Sequence, residues 1–484
     1  MHSESSTSEA SNLPLKQIPG SYGLPFFGAI RDRWDFFYNE GKDKFFDDRS
    51  RKYQSTVFRT NMAPGPFIAS DPRVVCLLDA VSFPILFDLS KVKKHNVLLG
   101  TFRPSWSFTG GYRICSYLDP SEPKHTSLKS FFLSIIATRH NKFIPLFQEC
   151  LNEFFFKLQA QIQIQKQVDF NSLNDEMVYN YIFRLFCDKD PRDTNLGSDG
   201  AKLFDKWLFL QLAPLGTLGI LPKFLNFLDD LFLHVFPFPF LLVKSDYNKL
   251  YDSFYNSAVS ILDEATRFGI KRDEACHNLL FLVGFNTYAG LKVLFSSMIK
   301  WVGLAGEKLH QQLVDEIRTV VKVEGGVTFS SLEKMPLTKS VVYETLRIDP
   351  PVPYQYATAK EDMVIPSHDA AFEIKKGELI FGYQPFATKD PRVFENPEEF
   401  VPNRFVGEGK KLLKYVYWSN GRETENPTPV NKQCPAKDLV LLLSRVLLVE
   451  FFLRFDTFRV EGEPSAILGS SVTLKSLTPK ATTT

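Results

Sequence analysis

NKQCPAKDLVLLLSRVLLVEFFLRF, residues 431–455, is the stretch that decides how this chain is read. A loop rich in Asn, Pro and Thr (residues 420–435) runs straight into a long apolar segment, read as a helix, and places Cys434 beside that helix's N-terminus. Unpaired backbone N–H groups and the helix dipole there favour a thiolate over a thiol, and the thiolate is the form that binds a metal. Lys432, two residues earlier, adds positive charge suited to a cofactor carboxylate. A cysteine before a helix is by itself more often a packed side chain than a ligand, so the reading depends on its surroundings.

Upstream, Glu344 and Arg347 stand three apart in VVYETLRIDPPVP, on one face of a helix, and Arg404 follows in FVPNRF. Residues 142–188 and 246–268 carry apolar residues at helical spacing, and 301–323 predicts one amphipathic helix. Around 352–387 the pattern shifts to short alternating runs with a turn at Lys376 and Gly377, which predicts a small sheet. The expected fold is therefore mainly α with a small β region. No composition break divides the 484 residues, so a single domain over 13–484 is expected behind a flexible, Ser-rich start at 1–12.

The 57 Lys+Arg nearly cancel the 55 Asp+Glu, and the basic residues form no stripe, which argues against nucleic acid as a partner. The load of 46 Phe supplies apolar surface enough to line a pocket as well as a core. Six scattered cysteines without a CxxC pair read as reduced thiols. The first dozen residues look like neither a signal nor a transit peptide, and no stretch approaches the roughly 20 apolar residues of a spanning helix. The expected location is cytoplasmic or peripheral on membranes, without plastid targeting. Residues 218–243 are very apolar but broken by Pro222, Pro237 and Pro239. A buried helix pair is the first expectation there, and a surface that dips into lipid the second.

The order Glu-x-x-Arg, then Arg in a Pro-Asn-Arg-Phe setting, then Cys before a helix resembles the cytochrome P450 signature. That resemblance implies the family's mostly helical body and a haem b cofactor with Cys434 as the axial thiolate ligand. It implies that Glu344, Arg347 and Arg404 form a buried network holding the haem-side loop, and it groups them with Lys432 as cofactor-binding residues.

The chain also departs from ordinary monooxygenases of that family. Their distal helix carries an acid and an alcohol that deliver protons to bound dioxygen; the equivalent run here is Ala289-Gly290-Leu291-Lys292-Val293. Val293 cannot relay a proton. The Trp418-Ser419-Asn420-Gly421 motif is separated from Cys434 by an inserted stretch, and Ala436 stands where Gly is common. Both departures occur together in the plant branch that metabolises fatty-acid hydroperoxides, the allene oxide synthases, hydroperoxide lyases and divinyl ether synthases. Stretches such as FRTNMAPGPFIASDP, SYLDPSEPKH, RDEACHNLLFLVGFNTYAG, PPVPYQYATAK and LLKYVYWSNG are similar to that branch, almost from end to end.

The resemblance implies an enzyme that needs neither dioxygen, reductase nor NAD(P)H, because its substrate brings the O–O bond. The implied substrates are the 9- and also the 13-hydroperoxides of linoleic and linolenic acid. Asn286 matches the position whose carboxamide holds the hydroperoxide against iron. Three further positions bear on the product. Leu98, in HNVLLGTF, stands where allene oxide synthases usually carry Phe and lyases or ether synthases Leu; Thr287 stands where lyases commonly have Ala and allene oxide synthases Ser; Ala289 resembles some divinyl ether synthases. Leu98 is given the deciding weight because it faces the implied reaction centre. The expected order is hydroperoxide lyase, then allene oxide synthase, then divinyl ether synthase, with Asn286, Leu98 and Thr287 as catalytic residues. A conventional monooxygenase and a non-catalytic lipid-binding protein are the rival classes.

Overall fold

The computed structural model describes residues 13–96, 98, 100–464 and 469–481, so the expected flexible segment 1–12 lies outside the described residues. Helices dominate, as the periodicity predicts. Residues 142–188 form two helices, Phe143–Gln165 and Phe170–Cys187, and the second is capped by the Asp169 carboxylate, which accepts from the Asn171 N–H. The run after Cys434 is the helix Lys437–Arg454, buried nearly all round because its apolar residues leave no polar face; Phe451 meets Phe155 of Phe143–Gln165 edge-on.

Two expectations change between residues 272 and 324. The amphipathic run 301–323 is not one helix: the preceding helix continues to Ala305, Gly306 turns with φ of 77°, and Glu307–Glu324 starts afresh. A side chain would oppose that positive φ, so the break sits at the glycine. Secondly, one helical run, Arg272–Ala305, is long and apolar enough by composition to cross a membrane, contrary to the sequence reading. It threads the core instead, with 67% of its apolar window buried inside the molecule. Asn278, Asn286 and Lys292 dilute its apolar character enough to hide it from inspection. The central part, Phe281–Tyr288, is wound as a π-helix between α-helical Arg272–Leu280 and Ala289–Ala305.

The expected β region is present, with its turn at Lys376–Gly377. Tyr354–Ala359 pairs antiparallel with Leu379–Tyr383, in a five-stranded sheet ordered Val57–Asn61, Arg73–Leu77, Leu379–Tyr383, Tyr354–Ala359, Val92–Lys93. Met363–Pro366 and Ala371–Ile374 form a neighbouring hairpin.

Residues 218–243 overturn the first expectation. They are not a buried helix pair but one short helix, Asn226–His234, flanked by turns, and it is packed inside out. Asp229, Asp230 and His234 face inward, whereas Phe224 is 76% and Phe236 67% exposed. A buried latch causes the inversion: Arg33 donates to the Asp230 carboxylate at 2.6 Å, and His234 bonds Asp230 at 3.1 Å while its ring stacks on Phe37. Tyr38 donates to Asp229 at 3.0 Å.

Candidate functional site

A cavity opens where the Arg272–Ala305 helix passes over the loop that precedes Lys437–Arg454. Its walls are largely apolar: Phe132, Leu212, Leu215, Leu282 and Phe285 are joined by the Pro350–Pro353 turn. Cys434 lies in its floor, and the half-buried thiol opens onto it.

The inserted stretch does not displace this cysteine. Tyr417–Trp418 and Gly421–Arg422 make a tight hairpin with Asn420 at φ 60°, and the chain then loops back so that the Cys434 N–H donates to the Ser419 carbonyl at 3.1 Å. Closure depends on Gly421, since a Cβ there would stand 2.7 Å from the Gln433 side chain. Gln433 in turn donates to the Arg422 carbonyl at 2.7 Å. Lys129, from helix Pro123–Ala137, holds the returning strand by donating to the Asn431 and Gln433 carbonyls.

The electrostatics of the sulfur differ from the expectation. Burial raises the Cys434 thiol above its ordinary value, against an opposing Ala436 backbone hydrogen bond and the Lys129 charge. Burial thus opposes the thiolate that the helix terminus favours, and an iron ion held at the sulfur would supply the positive charge that stabilises it.

A cluster of buried basic groups stands on one side of the cysteine loop. The Lys94 ammonium, 2% exposed, and the His125 Nδ1 find no hydrogen-bond partner among the described residues. Burial, with Lys432 nearby, pushes Lys94 down to about 7, and burial together with Lys432 and Lys129 pushes His125 down to about 3. Lys432 donates to the carbonyls of Cys115, Ser116 and Leu118. Burial without a partner takes the charge from Lys94, and an anion brought beside it would restore that charge. A thiol open to an apolar cavity with an orphaned ammonium beside the same loop fits haem, whose iron needs the sulfur, whose ring needs apolar walls and whose carboxylates need cations. Sequence reasoning named Lys432 but missed Lys94, His125 and Lys129; KKHN holds the first and SYLDPSEPKH the second, Lys129 follows in TSLKS, and no spacing ties the three together.

Of the residues named from sequence, the cavity brings together Leu98, Asn286, Lys432 and Cys434, and Ala289 also lines it. Asn286 is exposed to it from the π-wound stretch. Thr287, expected among the catalytic residues, is not on this wall. It is buried, and its hydroxyl donates to the Leu282 carbonyl five residues back at 2.8 Å.

Glu344, Arg347 and Arg404 do form one buried network, but none of them lines the cavity. Arg347 grips both Glu344 oxygens at 2.7 and 2.8 Å, and the Arg404 Nε donates to the same carboxylate at 3.0 Å. Their remaining donors go to the carbonyls of Thr388, Glu395, Asn396, Pro397 and Glu399. The network thus ties helix Pro336–Ile348 to the segment 388–404. The tie to the cysteine loop runs one residue away, through Tyr343, which donates to Glu423 at 2.9 Å, while Lys437 donates to the Glu423 carbonyl at 2.8 Å.

The comparisons with known proteins agree with this arrangement. Residues 304–422 match the Cytochrome P450 family. Allene oxide synthase 3 of Solanum lycopersicum is 58% identical over 97% of this chain and 96% of its own length. Divinyl ether synthase CYP74D2 of Solanum tuberosum is 53% identical over 98% of this chain and 99% of its own, and the 9-divinyl ether synthase of Capsicum annuum 52% over 99% and 100%. The chain belongs to the cytochrome P450 family, in the branch that contains the allene oxide and divinyl ether synthases, and its cofactor is haem with iron held by a cysteine thiolate.

Proposed function

We propose that this protein cleaves or rearranges the hydroperoxides of polyunsaturated C18 fatty acids, the 9-hydroperoxides first and the 13-hydroperoxides second, using Cys434 as the iron ligand and neither dioxygen nor a reductase. One observation carries the reading: the helix over Cys434 presents a carboxamide, Asn286, to the cavity, and the other residues that it contributes to the wall, Leu282, Phe285, Ala289, Gly290 and Leu294, include no acid or alcohol to feed protons to dioxygen. Lys292 and Val293, which replace that pair, are absent from the cavity wall.

Haem supplies homolysis of the substrate's O–O bond. The chain supplies the rest. Asn286 donates a hydrogen bond to the hydroperoxide and orients it toward the sulfur side of the cavity. Leu282, Phe285 and Ala289 enclose the reacting part of the chain and exclude water. Leu98, on the wall, offers no aromatic face to stabilise a carbon radical on its way to a cation. That supports the lyase outcome, a hemiacetal that falls apart into an aldehyde and an oxo-acid. The 58% identity to an allene oxide synthase favours a second reading, loss of water to an epoxide or an ether.

Purified haem-loaded protein incubated with the 9- and 13-hydroperoxides of linoleic and linolenic acid, under argon and without NADPH, tests both levels. Short aldehydes with oxo-acids support the lyase; ketols or divinyl ethers assign the second reading; no turnover of any hydroperoxide overturns the function. For the partner, the inverted helix supports peripheral contact of residues 218–243 with a membrane surface, from which so apolar a substrate would be drawn.

A further inference from the structure

Lys292 replaces the acid of ordinary family members, yet it points away from the cavity. Its ammonium lies between two carboxylates on two other helices, 2.8 Å from Asp175 of Phe170–Cys187 and 2.7 Å from Asp205 of Gly200–Leu212. Its carbonyl accepts from the Asn174 side chain at 3.1 Å, so both ends of the residue are held by the same neighbour. The ammonium also sits 5.0 Å from the Tyr288 ring centre, on the last π-wound residue.

We propose that Lys292 is a positioning residue: the Lys292–Asp175–Asp205 clamp fixes the winding phase of Phe281–Tyr288 and thereby aims Asn286 at the reacting atoms. The inference rests on the role given to Asn286 above. The physical reason is that a π-wound stretch competes with ordinary α winding, and such stretches recur at functional sites. Re-registering by one residue turns a side chain by roughly 100° about the helix axis, enough to take Asn286 off the cavity wall. Two contacts oppose that slip. Inside the stretch, the Thr287 hydroxyl holds the carbonyl five residues back, a spacing that belongs to π winding. Beyond it, the clamp stops the following α segment from rotating. Asp205 also ties the clamp to the helix whose last residue, Leu212, forms part of the cavity wall, so roof and wall move as one body.

The test compares Lys292→Met, Lys292→Arg and Asp205→Asn with the parent as haem-loaded enzymes. Lys292→Met is expected to lose about ten- to a hundredfold in kcat with KM within about twofold, and to change the product ratio. Lys292→Arg, which reaches both carboxylates, restores most of the loss, and Asp205→Asn falls between. Hydrogen–deuterium exchange of residues 281–294 in the resting enzyme is a second readout, faster in Lys292→Met and normal in Lys292→Arg. A clamp that only stabilises the fold would lower Tm and leave kcat, product ratio and local exchange unchanged at 25 °C, and that result overturns the proposal. If the parent turns over no hydroperoxide, the function above fails, while the exchange contrast still decides the clamp.

Discussion

Asn286 and Lys94 are two side chains whose polar ends find no hydrogen-bond partner among the described residues, one on the cavity wall and one beside the cysteine loop. Losing a single aimed donor at a reacting oxygen typically costs about a hundredfold or more in rate. Asn286→Ala is therefore expected to lower kcat/KM for the hydroperoxide about a hundredfold while the Soret band and haem content stay at parent values; an unchanged rate removes Asn286 from the reaction. Leu98→Phe places an aromatic face on the same wall and is expected to move product from aldehydes toward ketols, read by mass spectrometry. For Lys94 the sign follows from its surroundings. The folded group titrates at about 7, because burial and then Lys432 disfavour the charge while Asp119 favours it. An unfolded lysine titrates near about 10.4. Between those values the unfolded chain holds a proton that the folded chain lacks, so the cofactor-free protein gains stability as pH rises from about 7 toward 10. A haem carboxylate held near Lys94 would keep it charged and remove that gain. Thermal unfolding from pH 6.5 to 10, with and without haem, should show the difference, and Lys94→Met should flatten the rise in the cofactor-free protein, leaving the part that the other buried lysines, Lys432 and Lys129 among them, contribute with the same sign. An identical slope in Lys94→Met refutes the assignment.

At the scale of elements, the helix Pro336–Ile348 works through two separate ties. Glu344 and Arg347 are fully buried, and every nitrogen of the Arg347 guanidinium has a partner. Removing Arg347 leaves Glu344 to Arg404 alone and strips the carbonyls of Thr388, Pro397 and Glu399 of a donor, at a cost of about 3 kcal/mol, the lower end for a broken buried pair. Arg347→Met is expected to lower the unfolding free energy, read by denaturant titration, by that amount and to reduce haem retention, whereas Tyr343→Phe, which loosens only the hydrogen bond to Glu423, is expected to cost about 1 kcal/mol. Equal losses in the two variants contradict this division. The sequence made the triad legible because its members keep a fixed order and Glu344 and Arg347 share a helical spacing. It did not show where the triad's donors end, since backbone carbonyls of 388–399 leave no trace in residue identity. The same limit hid Lys94, His125 and Lys129, which approach the cysteine loop from separate segments. Thr287 was misplaced for a related reason: its neighbour Asn286 faces the cavity, and only the π winding decides which of the two does.

Across the whole molecule, the polar latch at Arg33 joins two exposed apolar segments into one face. Phe26 packs on Phe67 at 5.0 Å, Arg33 lies 5.5 Å from the Phe67 ring centre, and the same arginine binds Asp230 of the inverted helix. On the two segments that it joins, Leu24 and Phe27 on one and Phe224, Phe227, Leu231 and Phe236 on the other are all at least half exposed. The composition of 218–243 announced an apolar segment but not which side of it meets water, because Asp229, Asp230 and His234 fit a surface helix equally well. In the fold those three residues occupy the inner side, so the outer side is apolar, the property that the proposed membrane contact requires. Each phenylalanine inserted there is worth about 1.5–3 kcal/mol. Phe224→Ser, Leu231→Ser and Phe236→Ser combined are therefore expected to cut sedimentation with phosphatidylcholine vesicles by well over tenfold. The same variant should keep its haem spectrum and its kcat on detergent-dispersed hydroperoxide, since none of the three residues lines the cavity. If the parent does not sediment with vesicles, or the triple variant sediments equally well, the face is not a lipid-binding surface.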